Sequence, residues 1–184
     1  MGESHRSKAI NRSETREGEI YCEKPAPKGF RVQSKINVEN MQDYLNRVLL
    51  NISKKYPKVG YIQGLNYIVK TMFLTGLSEE HAYDYLCFFL EKKKFAKILV
   101  NGMIGLRELA YTLKVYTFNY VPSVFNHFEK YDVDTEVFAT SWFITLFSED
   151  LPLFITNKLW HLFALEGWKI LIQFSLAILC AFQN

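Results

Sequence analysis

The chain has 184 residues, 49% of them hydrophobic and 16% aromatic, which suits one domain with a sizeable core and excludes disorder over most of the length. Charged residues are 22% and the formal net charge is +3, with both signs interspersed, and no arginine-rich stripe points to nucleic acid. Cys22, Cys87 and Cys180 are odd in number, far apart and without a CxxC pair, so neither a disulfide framework nor a zinc site is expected; the thiols read as small buried or incidental ones in a reduced, intracellular protein.

The first twenty residues are polar and charged, unlike a secretory signal. Residues 1–36 form an N-terminal segment, within which Lys24-Pro25-Ala26-Pro27-Lys28-Gly29 breaks any helix and roughly 17–36 reads as a long loop. Helical periodicity begins at Asn37, a candidate N-cap, and a helical domain is expected over 37–184. Val38, Met41, Leu45, Val48, Leu49 and Ile52 define one apolar face, and Pro57 ends the helix. After a loop at 58–64 comes a helix with Leu65, Ile68, Val69, Met72 and Phe73, stopped by Gly76. Ser78 caps the next, with Glu79 and Glu80 at its positive end and Ala82, Leu86, Phe89 and Leu90 inward.

Farther along, Leu106–Tyr116 predicts a helix with Leu106, Leu109, Ala110, Leu113 and Tyr116 on one side. Pro122 starts a short helix carrying Val124, Phe125 and Phe128. Asp134 caps another, its buried face expected to hold Phe138, Trp142, Thr145 and Leu146. Pro152 precedes a helix with Ile155, Leu159 and Phe163. Trp168–Phe182 is short for a membrane span and contains Lys169 and Gln173, so it reads as a buried core helix. No segment alternates with period two, and no fixed-period repeat appears. The expectation is an all-α domain of about eight or more helices, packed like a bundle and truncated at one or both ends.

Phosphate-loop, dinucleotide and nucleophile-elbow motifs are missing, and His5, His81, His127 and His161 lack metal spacing, so each reads as structural. Glu79-Glu80 and Glu149-Asp150 read as helix-end charges. Lys92-Lys93-Lys94 reads as a solvated helix end, the alternative being a contact to an anionic lipid or an acidic partner. The loop Lys58-Val59-Gly60-Tyr61-Ile62-Gln63-Gly64 allows two readings. It is an ordinary helix connection, or it presents Gln63 to another molecule. A glutamine amide both donates and accepts hydrogen bonds, and Gly60 and Gly64 permit close backbone approach.

Val59-Gly60-Tyr61-Ile62-Gln63-Gly64-Leu65-Asn66-Tyr67 resembles the YxQG motif of the TBC domain, a family of activators of Rab GTPases. Arg47-Val48-Leu49-Leu50 through Pro57 is similar to the lead-in of that motif. Glu136-Val137-Phe138-Ala139 with Ser141-Trp142-Phe143-Ile144-Thr145-Leu146-Phe147 resembles the family's "FAxxWxxTLF" block, and Leu151-Pro152, Leu159-Trp160 and Glu166-Gly167-Trp168 continue it in order. The resemblance implies an all-helical fold and two groups supplied in trans to a GTP-bound Rab-type GTPase. Gln63 would orient the attacking water, and an arginine would neutralise phosphate charge. Phosphoryl transfer depends on such positioning and electrostatics, and an arginine finger is worth about 10³–10⁵ in rate.

The family's IxxDxxR motif falls on Ile10-Asn11-Arg12-Ser13-Glu14-Thr15-Arg16, which would make Arg16 the finger. Ser13 stands where the family has Asp, Glu17-Gly18-Glu19 replaces the usual Thr-Phe-Pro, and His161 stands where Asp often follows Leu-Trp. Loss of a carboxylate beside a guanidinium removes a strong anchor. The resemblance places Tyr61, Gly64 and Asn66 at the partner surface. It implies no cofactor of the chain's own, because Mg²⁺ and GTP belong to the GTPase, and a cytoplasmic location reaching endomembranes only through that partner. Two other expectations stand beside this one: a binding module of the same fold that does not accelerate hydrolysis, and an unrelated helical scaffold or membrane-associated protein.

Overall fold

The computed structural model describes residues 40–183. Arg16, the rest of residues 1–36, the expected cap Asn37 and Val38 lie outside the described residues. Among the described residues there are nine α-helices and no strand: α1 Met41–Lys55, α2 Leu65–Leu74, α3 Glu79–Glu91, α4 Phe95–Leu99, α5 Ile104–Tyr120, α6 Pro122–Lys130, α7 Thr135–Ile144, α8 Leu153–Glu166 and α9 Trp168–Ala181. The all-α expectation holds.

Local chemistry sets several of the helix ends. The Ser78 hydroxyl accepts from the His81 amide, and Asp134 accepts from the Glu136 amide at 3.1 Å, each satisfying a donor that the helix itself leaves unpaired. At the end of α2, Gly76 takes φ +88°, its amide bonds to the Phe73 carbonyl, and the Leu77 amide reaches the Met72 carbonyl. That left-handed C-cap favours a residue without Cβ. Pro57 follows the Tyr56 cap of α1 and cannot continue the helix.

The helices meet in a core rich in rings. α1 packs on α2 and α3, α5 lies along α7, and α9 contacts α8 and α5. Phe89 of α3 meets Trp160 and Phe163 of α8 edge-on, Phe163 meets Trp168 of α9, and Trp168 meets Phe95 of α4. Each such pair is worth about 0.5–1.5 kcal/mol beyond the area it buries. This chain of rings fastens the first half of the domain to the last.

Several helical faces differ from expectation. Phe95–Leu99 forms a short helix that the periodicity does not reveal, because five residues are too few to show a repeat. It starts from Lys94 in the left-handed region (φ 59°), and the Trp168 indole donates to the Lys93 carbonyl at 2.8 Å. The lysine run is therefore a packed turn whose Lys92 and Lys94 are exposed and whose Lys93 is half-buried. On α5, Thr117 is buried and returns its hydroxyl to the Leu113 carbonyl, whereas Tyr116 is exposed.

On α7 the buried line is Thr135, Ala139 and Phe143. Phe138 and Trp142 are half-buried, and Thr145 and Leu146 are buried beyond the helix end. The buried set on α9 is Leu171, Ile172, Ser175 and Leu179, with Ile170, Phe174, Leu176 and Ile178 half-buried. It is a one-sided helix and not a fully buried one. No helix among the described residues is long and apolar enough to cross a membrane.

Candidate functional site

The loop between α1 and α2 alternates inward and outward. Val59 and Ile62 are buried, while Tyr61, 63% exposed, and Gln63 face solvent. The two apolar pegs remove their side chains from water and leave the residues beside them directed out. The amides of Val59 and Gly60 both bond to the Tyr56 carbonyl, at 2.9 and 3.0 Å, which closes the first turn of the loop. Gly60 then takes φ +63° with open space around it, so backbone conformation alone selects glycine there.

Gly64 has two reasons to be glycine. Its φ is +118°, and a Cβ would stand 3.1 Å from the Ile144 side chain at the end of α7. It is the N-cap of α2 and has no side chain to cap with. Asn66 supplies the bond that holds this point: its Oδ1 accepts from the Gly64 amide at 3.0 Å. The Leu65 amide bonds back to the Ile62 carbonyl at 3.2 Å, so the backbone on both sides of Gln63 is tied down.

Two polar bridges secure the surroundings. The Tyr56 hydroxyl donates to the Glu91 carboxylate, and Lys55 Nζ lies 3.2 Å from the same group, which fastens the end of α1 to the end of α3. Burial and the Glu91 bond raise the Tyr56 phenol above its ordinary value, and the Tyr56 and Lys55 bonds lower the Glu91 carboxyl. On the other side, the nearby Glu149 carboxylate raises the Tyr67 phenol, and Ser141 of α7 donates to Glu149 at 3.3 Å. Asp150 beside it is raised by burial and by the charge of Glu149. The carboxylates at 149 and 150 thus border the start of α2; their nearness to Tyr67 is not readable from spacing.

The turn after α7 explains how Ile144 is held. Leu146 and Phe147 both take the left-handed region, at φ 49° and 63°, although neither is glycine. Such residues cost about 1–2 kcal/mol each. Complete burial of both side chains and two hydrogen bonds offset that strain: Trp160 Nε1 donates to the Leu146 carbonyl, and the Phe147 amide to the Trp142 carbonyl, each at 2.8 Å.

Of the sequence-predicted residues, Tyr61, Gln63, Gly64 and Asn66 lie within this one loop and the first turn of α2, and Arg16 falls outside the described residues. Both arginines among the described residues hold carboxylates. Arg47 forks onto Glu79 at 2.9 and 2.7 Å and covers the Tyr44 ring, and Arg107 lies 3.4 Å from Glu136. Glu136 stands in the first turn of α7 and Ile144 at its end, about 12 Å apart along the axis. Arg107 therefore belongs to the far end of α7 from Gly64. His161, the departure noted above, is exposed and bonds to the Asn157 carbonyl one turn back.

The family model for the Rab-GTPase-TBC domain matches residues 4–184. GTPase activating protein Gyp51 of Schizosaccharomyces pombe is 32% identical over 148 residues, covering 80% of this chain and 14% of that protein. Rab GTPase-activating protein eat-17 of Caenorhabditis elegans is 32% identical over 136 residues, 72% of this chain and 15% of that protein. Growth hormone-regulated TBC protein 6, also of Caenorhabditis elegans, is 28% identical over 152 residues, 83% of this chain and 46% of that protein. The chain thus spans less than half the length of each of these relatives. Its helical architecture, its glycine-bounded Gln63 loop and this match along nearly its whole length agree: the chain belongs to the Rab-GTPase-TBC domain family.

Proposed function

We propose that this chain accelerates GTP hydrolysis on a GTP-bound Rab-type small GTPase, supplying Gln63 and Arg16 in trans. It acts as an activator; the nucleotide, its Mg²⁺ and the hydrolysis belong to the partner. The observation that carries the reading is Gln63 itself, solvent-facing on a loop whose neighbours on both sides are pinned. An amide held in this way can accept a hydrogen bond from the attacking water through its oxygen. Its N–H₂ can donate to a phosphate oxygen or to the partner's backbone. Because the loop is ordered before the partner arrives, little freedom is lost on placing the amide. Tyr61, exposed one step before Gln63, borders the surface that would meet the GTPase, whereas Gly64, expected there too, is buried against Ile144 and Asn66 is half-buried beside it.

Arg16 completes the reading through its place in the IxxDxxR-like stretch. A guanidinium spreads its charge over several donors and matches phosphate oxygens in pairs. The second reading, a module that binds a GTPase without accelerating it, is favoured by Ser13 at the family's Asp position and by Glu17-Gly18-Glu19 after the arginine. The loss of that carboxylate leaves the guanidinium to be oriented by the GTPase instead.

Single-turnover hydrolysis by a panel of purified, GTP-loaded Rab GTPases tests the two. The activator reading expects acceleration by the wild type. Arg16→Ala and Gln63→Ala should each remove about a hundredfold or more of it, with melting temperatures unchanged for Gln63→Ala because its side chain is exposed. GTP-dependent binding without acceleration would select the second reading. Absence of binding to every member of the panel would overturn both.

A further inference from the structure

Asn66 occupies the second position of α2, two residues after the helix's own cap. In a capping box, the cap residue's side chain reaches into the first turn while a side chain of that turn reaches back to the cap's amide. Gly64 cannot make the first of these bonds. Asn66 makes the second, with Oδ1 3.0 Å from the Gly64 nitrogen. Gly64 is also the residue through which the chain leaves Gln63, and its opposite side is closed by Ile144, whose Cγ2 and Cγ1 would lie 3.1 and 3.3 Å from a Cβ at this point. The peptide between Gln63 and Gly64 is therefore held between a hydrogen bond and a branched side chain. Gln63 itself has no bond of its own to set its direction among those found in the described residues.

We propose that Asn66 is a positioning residue, which acts by holding the Gly64 amide against the Ile144 stop so that Gln63 leaves the loop in one direction. This rests on the reading of Gln63 as the group given to the GTPase. It replaces a direct partner contact at Asn66, the role the family resemblance suggested, with an intramolecular one. The chemistry is specific: the acceptor oxygen of Asn66 is required, and its N–H₂ is not. Aspartate keeps the acceptor and nearly the same shape, and it also suits the positive end of α2. Alanine removes the acceptor and leaves the Gly64 amide to water.

The test has two arms. Amide exchange at Gly64, followed by NMR on the whole chain, should quicken about tenfold in Asn66→Ala and stay at the wild-type rate in Asn66→Asp. Single-turnover hydrolysis is then measured with the GTP-loaded Rab GTPase that the wild type accelerates most. The maximal rate at saturating protein should fall about tenfold to a hundredfold in Asn66→Ala. The half-saturating concentration should stay within about twofold, and Asn66→Asp should restore the rate. A direct partner contact predicts the reverse, with a raised half-saturation and an intact maximal rate. That result, or unaltered Gly64 exchange in Asn66→Ala, overturns the proposal, as does an aspartate variant as impaired as alanine. If the wild type accelerates no GTPase in the panel, the underlying activator reading fails and the positioning role falls with it, while the exchange arm still reports whether the Asn66–Gly64 bond exists. Should alanine unfold the chain, Asn66→Gln, which carries the amide one methylene past the Gly64 nitrogen, bears the same expectations.

Discussion

Gly64 and Ile144 sit eighty residues apart in sequence, yet the Ile144 Cγ2 atom lies 3.1 Å from where a Cβ on Gly64 would be. This contact joins the loop that carries Gln63 to the end of α7, and through the strained turn at Leu146 and Phe147 to Trp160 of α8. Direction at Gln63 is thus decided by elements far along the chain.

Gly64→Ala should destabilise the fold by about 2–4 kcal/mol, the sum of left-handed backbone strain and crowding against Ile144. Gly60→Ala, at φ +63° with open space around it, should lose only about 1 kcal/mol. Urea midpoints of both variants check the difference. Adding Ile144→Ala, which removes both γ carbons, to Gly64→Ala should cost less than the sum of the two single losses, because the crowding is relieved while the backbone strain stays. Equal losses at the two glycines would contradict the steric account.

Trp160→Phe keeps most of the buried ring volume but deletes the Nε1 donor, leaving the Leu146 carbonyl without its partner in a buried setting. A loss of about 1–3 kcal/mol is expected, seen in equilibrium denaturation. Its effect should extend to the neighbouring loop, with faster amide exchange at Leu146, Phe147 and Gly64. A variant as stable as the wild type would show that the indole bond does not hold the turn.

Glu91 gives the fold an acid-sensitive clamp. Its carboxyl is lowered below 4.5 by the Tyr56 and Lys55 bonds. The folded state therefore binds its proton more weakly than the unfolded chain does. Its stabilising contribution is complete above the unfolded value and is lost as pH falls through the folded one. Glu91→Gln should flatten the fall in melting temperature below about pH 4.5. The group is exposed, so the change in slope, and not a large loss at neutral pH, is the measurement that decides.

Asp150 should behave with the opposite sign. Burial and the charge of Glu149 raise its carboxyl above 3.8. Ionisation is then less favourable in the folded protein, and stability is gained as pH falls through the raised value. Asp150→Asn should raise the melting temperature at pH 7 only slightly, because the residue is exposed and its charge is screened by water. The gap from wild type should close as pH falls through the raised value, where the wild-type carboxyl takes up its own proton. A lower melting temperature for the variant at pH 7 would mean that the carboxylate's attraction to the start of α8 outweighs its burial.

Much of the architecture was legible from residue order, because helix ends are local events. Ser78, Asp134, Gly76 and Pro57 each act within one turn, through a side-chain acceptor, a left-handed cap or a missing donor. The inward faces of α1, α2 and α3 were equally plain, since polar residues interrupt their apolar ones at helical spacing. α7 gave no such guide. Nearly all of its residues from Val137 to Ile144 are apolar or small, so composition cannot phase the helix, and packing on α5 chose Ala139 and Phe143 over Trp142. α4 went unread because five residues following a left-handed lysine carry no measurable period.

The candidate site divides in the same way. The residue pattern left the Gln63 loop open between an ordinary helix connection and a presented amide, and the family resemblance is what singled out Gln63 and Asn66. Only the tertiary structure decided which loop residues are buried, that Ile144 closes one side of Gly64, that Glu91 holds Tyr56, and that Arg47 and Arg107 are held by carboxylates. The reason is physical. Torsional preference and capping act over a few residues and leave their mark in sequence, whereas van der Waals contact and ion pairing depend on where the chain returns in space, which is settled only when the core packs.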